Sequence, residues 1–128
     1  MMGLGYIGLP TAAVVPSRGI NVLGVDVNES VVNTINEGKI HIVEPDLDKL
    51  VKHVVEKGLL QASLMPEEAE VYLIAVPTPF KSDNKPDLKY VESATRMIIP
   101  KLKKGDLYII ESTSPVGTTQ KMANIIFD

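Results

Sequence analysis

Cysteine is absent from the 128 residues, which rules out disulfides, thiolate metal sites and a cysteine nucleophile within this stretch. Basic residues are not in excess. Lys and Arg total 13 against 16 Asp and Glu, a formal net charge of −3. No basic cluster offsets that balance, so no nucleic-acid surface is expected. No apolar run approaches the roughly 20 residues of a membrane-spanning helix, and no signal peptide is legible. A cytoplasmic protein without a membrane partner is the expectation. Internal repeats and low-complexity tracts are also lacking. What remains is ordinary for one soluble domain: 45% apolar and 23% charged residues in a length that can bury a core. His41 and His53 stand alone in the sequence, and solvated side chains are expected there rather than metal ligands or bases.

A further absence sits beside the most informative motif. Gly3-Leu4-Gly5-Tyr6-Ile7-Gly8 is a G-x-G-x-x-G loop. Such loops follow a strand of about five or six apolar residues. Only Met1 and Met2 precede this one. That strand would be the central one of its sheet. The chain therefore reads as truncated at its start, with the sheet shortened there or the place filled by another segment.

The loop itself is suited to a dinucleotide. Its first glycine permits a tight turn, its second lets the backbone approach a pyrophosphate, and its third lets the following helix pack on the sheet. The N–H groups of that helix start point at the phosphates. Asn21 to Asp26 reads as the next strand, and Asp26 at its end can accept from both hydroxyls of the adenosine ribose. Val27, Asn28 and Glu29 follow it, with no Arg or Lys to meet a 2′-phosphate, so NAD is expected over NADP.

The remaining elements alternate. Ile7–Ser17 reads as a helix, with Pro16 disturbing its last turn. Ser30 is placed to cap a helix ending at Gly38, and Asp46 to cap another bearing Leu47, Leu50, Val51, Val54 and Val55 on one face. Leu59–Ser63 reads as a short strand. Val71–Val76 and Leu107–Ile110 read as strands buried on both faces. Asp87 caps a helix whose end Pro100 bends, and Gly117-Thr118 opens a last helix. The order implies an α/β fold, a Rossmann-type doubly wound parallel sheet, with ligands beyond the carboxyl ends of the strands where strand order reverses. Thr78, between Pro77 and Pro79, and Thr113, in Glu111-Ser112-Thr113-Ser114-Pro115, both fall at that crevice. Their hydroxyls could serve a ligand or simply satisfy turn amides.

Five blocks occur in order: Gly-Leu-Gly-Tyr-Ile-Gly-Leu-Pro-Thr from Gly3, Val-Asp-Val-Asn from Val25, His-Ile-Val-Glu-Pro-Asp-Leu from His41, Ala-Val-Pro-Thr-Pro-Phe from Ala75, and Glu-Ser-Thr-Ser-Pro-Val-Gly-Thr from Glu111. Together they resemble the amino-terminal NAD-binding domain of the UDP-glucose/GDP-mannose dehydrogenase family, over nearly the whole chain. The resemblance implies oxidation of a sugar's primary alcohol to a carboxylate in two hydride transfers with two NAD. The implied UDP-sugar is UDP-N-acetyl-D-mannosamine, and the product a building block of surface polysaccharide. By motif match Gly3, Gly5, Tyr6 and Ile7 would hold the pyrophosphate, Gly8 would complete the cofactor-binding loop, and Asp26 would hold the ribose. Thr78 would lie beside the nicotinamide. Thr113 would help place cofactor and catalytic water, and Thr119 is a further cofactor candidate.

The family's catalytic cysteine in a Gly-Gly-x-Cys block, its catalytic lysine and asparagine, its long dimer-forming helix and its sugar-binding domain are not in these residues. Val31 stands where some relatives carry a basic residue. The resemblance thus implies a cofactor-binding piece, inactive alone, of an enzyme expected to be a homodimer. Two other readings stay open: the same domain of another dehydrogenase, acting on UDP-glucose or a 3-hydroxy acid, and a non-catalytic dinucleotide-binding module. A Gly-Gly-x-Cys block beyond Asp128 would decide between enzyme and module.

Overall fold

The computed structural model describes residues 1–128. Helix α1 (Gly8–Ser17) follows the glycine loop and leads to strand β1 (Val22–Val25). Helices α2 (Glu29–Asn36) and α3 (Leu47–Glu56) come next, then strands β2 (Leu60–Ser63) and β3 (Val71–Ile74). Helix α4 (Lys89–Ile98) runs into a 3₁₀ turn at Ile99–Lys101, where Pro100 takes over the ending. Strand β4 (Leu107–Ile110) and helix α5 (Thr118–Phe127) complete the chain.

β1 pairs with β2, and β3 with β4, both in parallel. The two pairs are joined by Met2 alone, which bridges Val25 on one side and Ile74 on the other. Its N–H donates to the Leu73 carbonyl at 2.7 Å, and its carbonyl accepts from Ala75 N at 2.7 Å. Val25 N donates to the Met1 carbonyl and Gly3 N to the Val25 carbonyl, each at 2.8 Å. The spatial order is thus β2-β1-Met2-β3-β4, with the central strand reduced to a stub. Of the two outcomes expected at this place, the structure shows the shortened sheet, with no other segment between β1 and β3.

Strand register explains which half of each face is covered. Val22, Leu60 and Ala62 point to one side, where α1 and α3 close a core with Leu4, Leu9, Ile35, Val51 and Val54. Met2, Val25, Tyr72 and Ile74 point to the other side, where Val91, Ala94 and Ile98 of α4 and Met122 of α5 close a second core. Buried Thr95 ties α4 to β4: its hydroxyl lies 2.7 Å from the Tyr108 hydroxyl and donates to the Val91 carbonyl. Burial raises the Tyr108 pKa, and the hydrogen bond to Thr95 partly opposes the shift.

This arrangement corrects one expectation. β3 and β4 are covered on one face only. Val71 is 46% exposed and Leu107 52% exposed, while Tyr72 and Ile74 are buried. An apolar run shows that a strand can be buried on both sides; whether it is depends on a neighbour that these residues do not supply. Between α1 and this open side lies an apolar groove of about 370 Å³, lined by Met1, Val15, Ile20, Leu23, Val71 and Leu73. By the alternation of the ladder, the N–H groups of Leu23 and Leu73 face it at the next positions past the stub, without acceptors.

Two caps also differ from expectation. Asn28, not Ser30, caps α2: its side-chain oxygen accepts from Ser30 N at 3.0 Å. The extended backbone at Asn28 lets the carbonyl reach forward, whereas Ser30 already lies inside the helix. Asp46 precedes α3 but adopts a left-handed conformation (φ 63°) and makes no side-chain capping bond. A third cap differs as well: the N-cap of α4 is Leu88, with no side-chain bond, and Asp87 one residue earlier accepts from Lys89 N at 3.0 Å. Pro16 is tolerated one residue before the end of α1, since the missing N–H costs only the bond to Ala12 and the helix stops at Ser17.

Candidate dinucleotide-binding site

The glycine loop is shaped by what cannot fit. Gly3 has φ +96°, and a Cβ there would stand 2.7 Å from the Ala75 carbonyl oxygen. A Cβ on Gly8 would collide with the Gly3 carbonyl and press on Ala75. Both positions require glycine because loop, helix start and the end of β3 meet there. Gly5 is different: a Cβ there would meet nothing within 4 Å. Nothing in the protein demands glycine at that place, which fits a backbone kept bare for a ligand to approach.

The helix start is equally open. Ile7 occupies the N-cap position of α1 with no side-chain bond, and the first turn carries no acidic residue. Leu9 N donates to Gly5 O, but the N–H groups of Gly5, Tyr6, Ile7 and Gly8 have no acceptor within the chain. Tyr6 and Ile7 are more than half exposed. Free donors at the positive end of a helix form an anion site.

Asp26 sits beside this site, at the end of β1. Its Oδ2 accepts from Leu4 N at 3.1 Å and its Oδ1 from Asn28 N at 3.0 Å. The carboxylate is therefore fixed by backbone on both sides. Each oxygen keeps a further lone pair, enough for a pair of vicinal hydroxyls. Leu4 is fully buried over Gly24, where a Cβ would lie 2.6 Å from its side chain. That packing holds the Leu4 N–H against Asp26.

Across the crevice, Thr78 and Thr113 come together from two strand ends. The Thr78 hydroxyl donates to the Thr113 carbonyl at 2.7 Å, and the two hydroxyl oxygens are 3.3 Å apart. Neither satisfies a turn amide. Residues 79–87 fold back beyond Thr78 as a small hairpin, with Asp87 N on Pro79 O and Lys81 N on Lys85 O, both at 2.7 Å. Thr119 lies apart from the pair. It lines a concavity of about 450 Å³ at the start of α5, with Ser112, Ser114 and Gly117.

Sequence reasoning passed over the pair that ties this site together. The Thr11 hydroxyl donates to Glu111 Oε1 at 2.9 Å, linking α1 to the end of β4. The signal was the parity of Leu107, Ile109 and Glu111, which places all three on the side of the sheet where α1 lies. His41 and His53 join no group of ligating side chains.

The model for the UDP-glucose/GDP-mannose dehydrogenase family, NAD binding domain, matches residues 1–128. The chain belongs to this family. It is 64% identical over 123 residues to the UDP-N-acetyl-D-mannosamine dehydrogenase of Escherichia coli K12, covering 96% of the chain and 29% of that relative. It is 57% identical over 124 residues to the NDP-N-acetyl-D-galactosaminuronic acid dehydrogenase of Ralstonia nicotianae, covering 97% and 29%. Among solved structures, the UDP-N-acetyl-mannosamine dehydrogenase of Staphylococcus aureus superposes with a TM-score of 0.94 at 40% identity, over 98% of the chain and 31% of that structure. The chain thus spans under a third of the length of these family members. The free N–H groups at the start of α1, the unobstructed Gly5 and the fixed Asp26 carboxylate all lie within the matched domain.

Proposed function

We propose that this chain is the cofactor domain of an enzyme that oxidises UDP-N-acetyl-D-mannosamine to UDP-N-acetyl-D-mannosaminuronate, with two NAD reduced per sugar. The observation that carries the substrate is the 64% identity to a relative of that name. NAD accepts hydride when bound. The residues of this chain position it. The free N–H groups from Gly5 to Gly8 would hold the pyrophosphate, Tyr6 and Ile7 lining its approach, and Gly3 would set the turn. Asp26 would take the adenosine ribose hydroxyls. Thr78, held by the Thr113 carbonyl, would flank the nicotinamide. Thr113 is the one catalytic candidate here: its hydroxyl, bound to nothing stronger than the 3.3 Å contact with Thr78, is free to orient a water or a reacting hydroxyl. Thr119 would contribute to the cofactor side from the start of α5.

Two oxidations of a primary alcohol consume one water and release two hydrides, so the complete enzyme needs groups beyond these residues. The 128 residues hold no cysteine, and alone they would bind NAD without turning over sugar. The full-length enzyme is proposed to act as a cytoplasmic homodimer.

The test is an assay of the full-length protein with NAD and a panel of UDP-sugars. Two NADH per UDP-N-acetyl-D-mannosamine, with much lower kcat/KM for UDP-glucose, is the expected result. A preference for an N-acetyl-galactosamine nucleotide would favour the second reading, which rests on the 57% identity to the galactosaminuronic acid dehydrogenase. No NAD reduction with any nucleotide sugar would overturn both.

A further inference from the structure

Glu111 is the polar end of an apolar row. Leu107, Ile109 and Glu111 share one face of β4. Its backbone still belongs to the sheet, since Glu111 N donates to the Ile74 carbonyl at 2.7 Å. Its side chain reaches over β3 toward α1, where Oε1 accepts from the Thr11 hydroxyl. Oε2 is buried and has no partner, the sole buried side-chain polar atom of the chain left so. A buried carboxylate oxygen without a donor in the protein is costly, so Glu111 calls for an explanation.

The place of this pair gives it a task. Thr11 lies one turn beyond Gly8, the residue that rests the start of α1 against Ala75. Glu111 lies two residues before Thr113, which is bonded to Thr78. The Thr11–Glu111 bond is therefore the side-chain tie between the element that would carry the pyrophosphate and the loop that would carry the reacting end.

We propose that Glu111 is a positioning residue for hydride transfer. It acts through Thr11, and it sets the distance between the glycine loop and the Thr78–Thr113 pair. This rests on the dehydrogenase reading above. Without the tie, the pyrophosphate contacts at the glycine loop stay intact, because they are backbone donors fixed by Gly3 and Gly8. What changes is the register of the two walls, so turnover suffers and affinity does not. The hydroxyl of residue 11 is what matters, so serine there should serve.

The test uses the full-length enzyme with Glu111→Ala, Glu111→Gln, Thr11→Val, Thr11→Ser and the Glu111→Ala/Thr11→Val double variant. Assays run well below each melting temperature. For Glu111→Ala and Thr11→Val we expect kcat to fall about 10-fold or more, the order set by small misplacements of reacting groups. The dissociation constant for NAD should change less than about 3-fold, as expected when uniform binding is spared. The double variant should be no slower than the worse single one, because both remove the same tie. Thr11→Ser should keep most of the turnover, and Glu111→Gln, which can still accept from Thr11, should exceed Glu111→Ala. Variants that melt lower but turn over at the wild-type rate would overturn the proposal and leave Glu111 a structural tie. Multiplicative losses in the double variant would also overturn it. A wild-type enzyme that reduces no NAD with any nucleotide sugar overturns the dehydrogenase reading itself, and this inference with it.

Discussion

The backbone N–H of Leu4 donates to Oδ2 of Asp26 across the tip of the sheet, at 3.1 Å. One residue of the glycine loop thus orients the acid that follows β1, and Asn28 N holds its other oxygen. A carboxylate fixed in this way favours vicinal hydroxyls and repels a phosphate in the same place. Binding of NAD should exceed binding of NADP by about 100-fold, the order of one unpaired charge contact. Asp26→Asn should narrow the gap by weakening NAD and relieving NADP. Calorimetric titration of both dinucleotides checks this, and equal affinities for the wild type would refute it.

The glycines of the loop should separate by role. Gly8→Ala forces a Cβ into the Gly3 carbonyl, so the domain should lose several kcal/mol, as overpacked sites do at about 1–3 kcal/mol or more. Gly5→Ala meets open space and should leave the melting temperature within about 2 °C, since surface changes are worth about 0.5 kcal/mol or less. Yet it should weaken NAD at least tenfold, by keeping the pyrophosphate off the backbone. Thermal melts and NAD titrations of the two variants give opposite orders if the loop works as described.

Thr113 should influence rate more than affinity. In the full-length enzyme, Thr113→Ala removes a hydroxyl but leaves the carbonyl that Thr78 uses. kcat should drop about 10- to 100-fold, the range of one positioned polar group, with the KM for NAD changed less than about 3-fold. Thr78→Val should disturb both, because it frees the two strand ends from one another. Steady-state kinetics over NAD concentration decides it; unchanged turnover in Thr113→Ala would make Thr113 a structural residue.

What the sequence made legible was local. The glycine loop, Asp26 and the threonines at strand ends follow from spacing along the chain, because each motif is built within one turn or one strand. The Thr11–Glu111 bond spans 100 residues and exists only once strand order and side-chain parity are known. The burial of Val71 and Leu107 was misread for a related reason. An apolar run reports what a strand tolerates, while its covering depends on neighbours elsewhere. Capping failed at the scale of one residue: Asn28 and Ser30 carry similar oxygens, and only the backbone angle at Asn28 shows which one turns back to the helix.

Burial gives the α-amino group of Met1 its own pH dependence. It donates to the Leu23 carbonyl at 2.9 Å at the edge of the groove, and desolvation lowers its pKa from 8.0 to about 6. Above pH 8 the amine is neutral in folded and unfolded chains and costs nothing. Below pH 6 it is charged in both, and the folded state bears the desolvation. Stability of a polypeptide beginning at Met1 should therefore rise between pH 6 and pH 8, by about 2–3 kcal/mol at most. Urea unfolding at both pH values, compared with an N-acetylated chain that lacks the titration, isolates the effect. The acetylated chain should show a smaller difference.

The groove beside that amine predicts a larger effect. Leu23 and Leu73 present N–H groups to it, and Met1, Val15, Ile20 and Val71 line it. About five or six apolar residues placed before Met1 would run parallel between β1 and β3, pairing with both. The added ladder would bury apolar surface worth about 25 cal/mol per Å². It would also remove the charged amine from its buried place. The extended domain should melt higher by about 5 °C or more, the shift of one or two kcal/mol in a domain of this size. It should also associate less, since an open parallel edge is a template for other chains. Thermal unfolding and light scattering of the 128-residue chain and the extended one provide the comparison. If the shorter chain melts as high and stays monomeric, the bridging contacts of Met2 suffice to complete the sheet, and the groove is a surface feature without energetic demand.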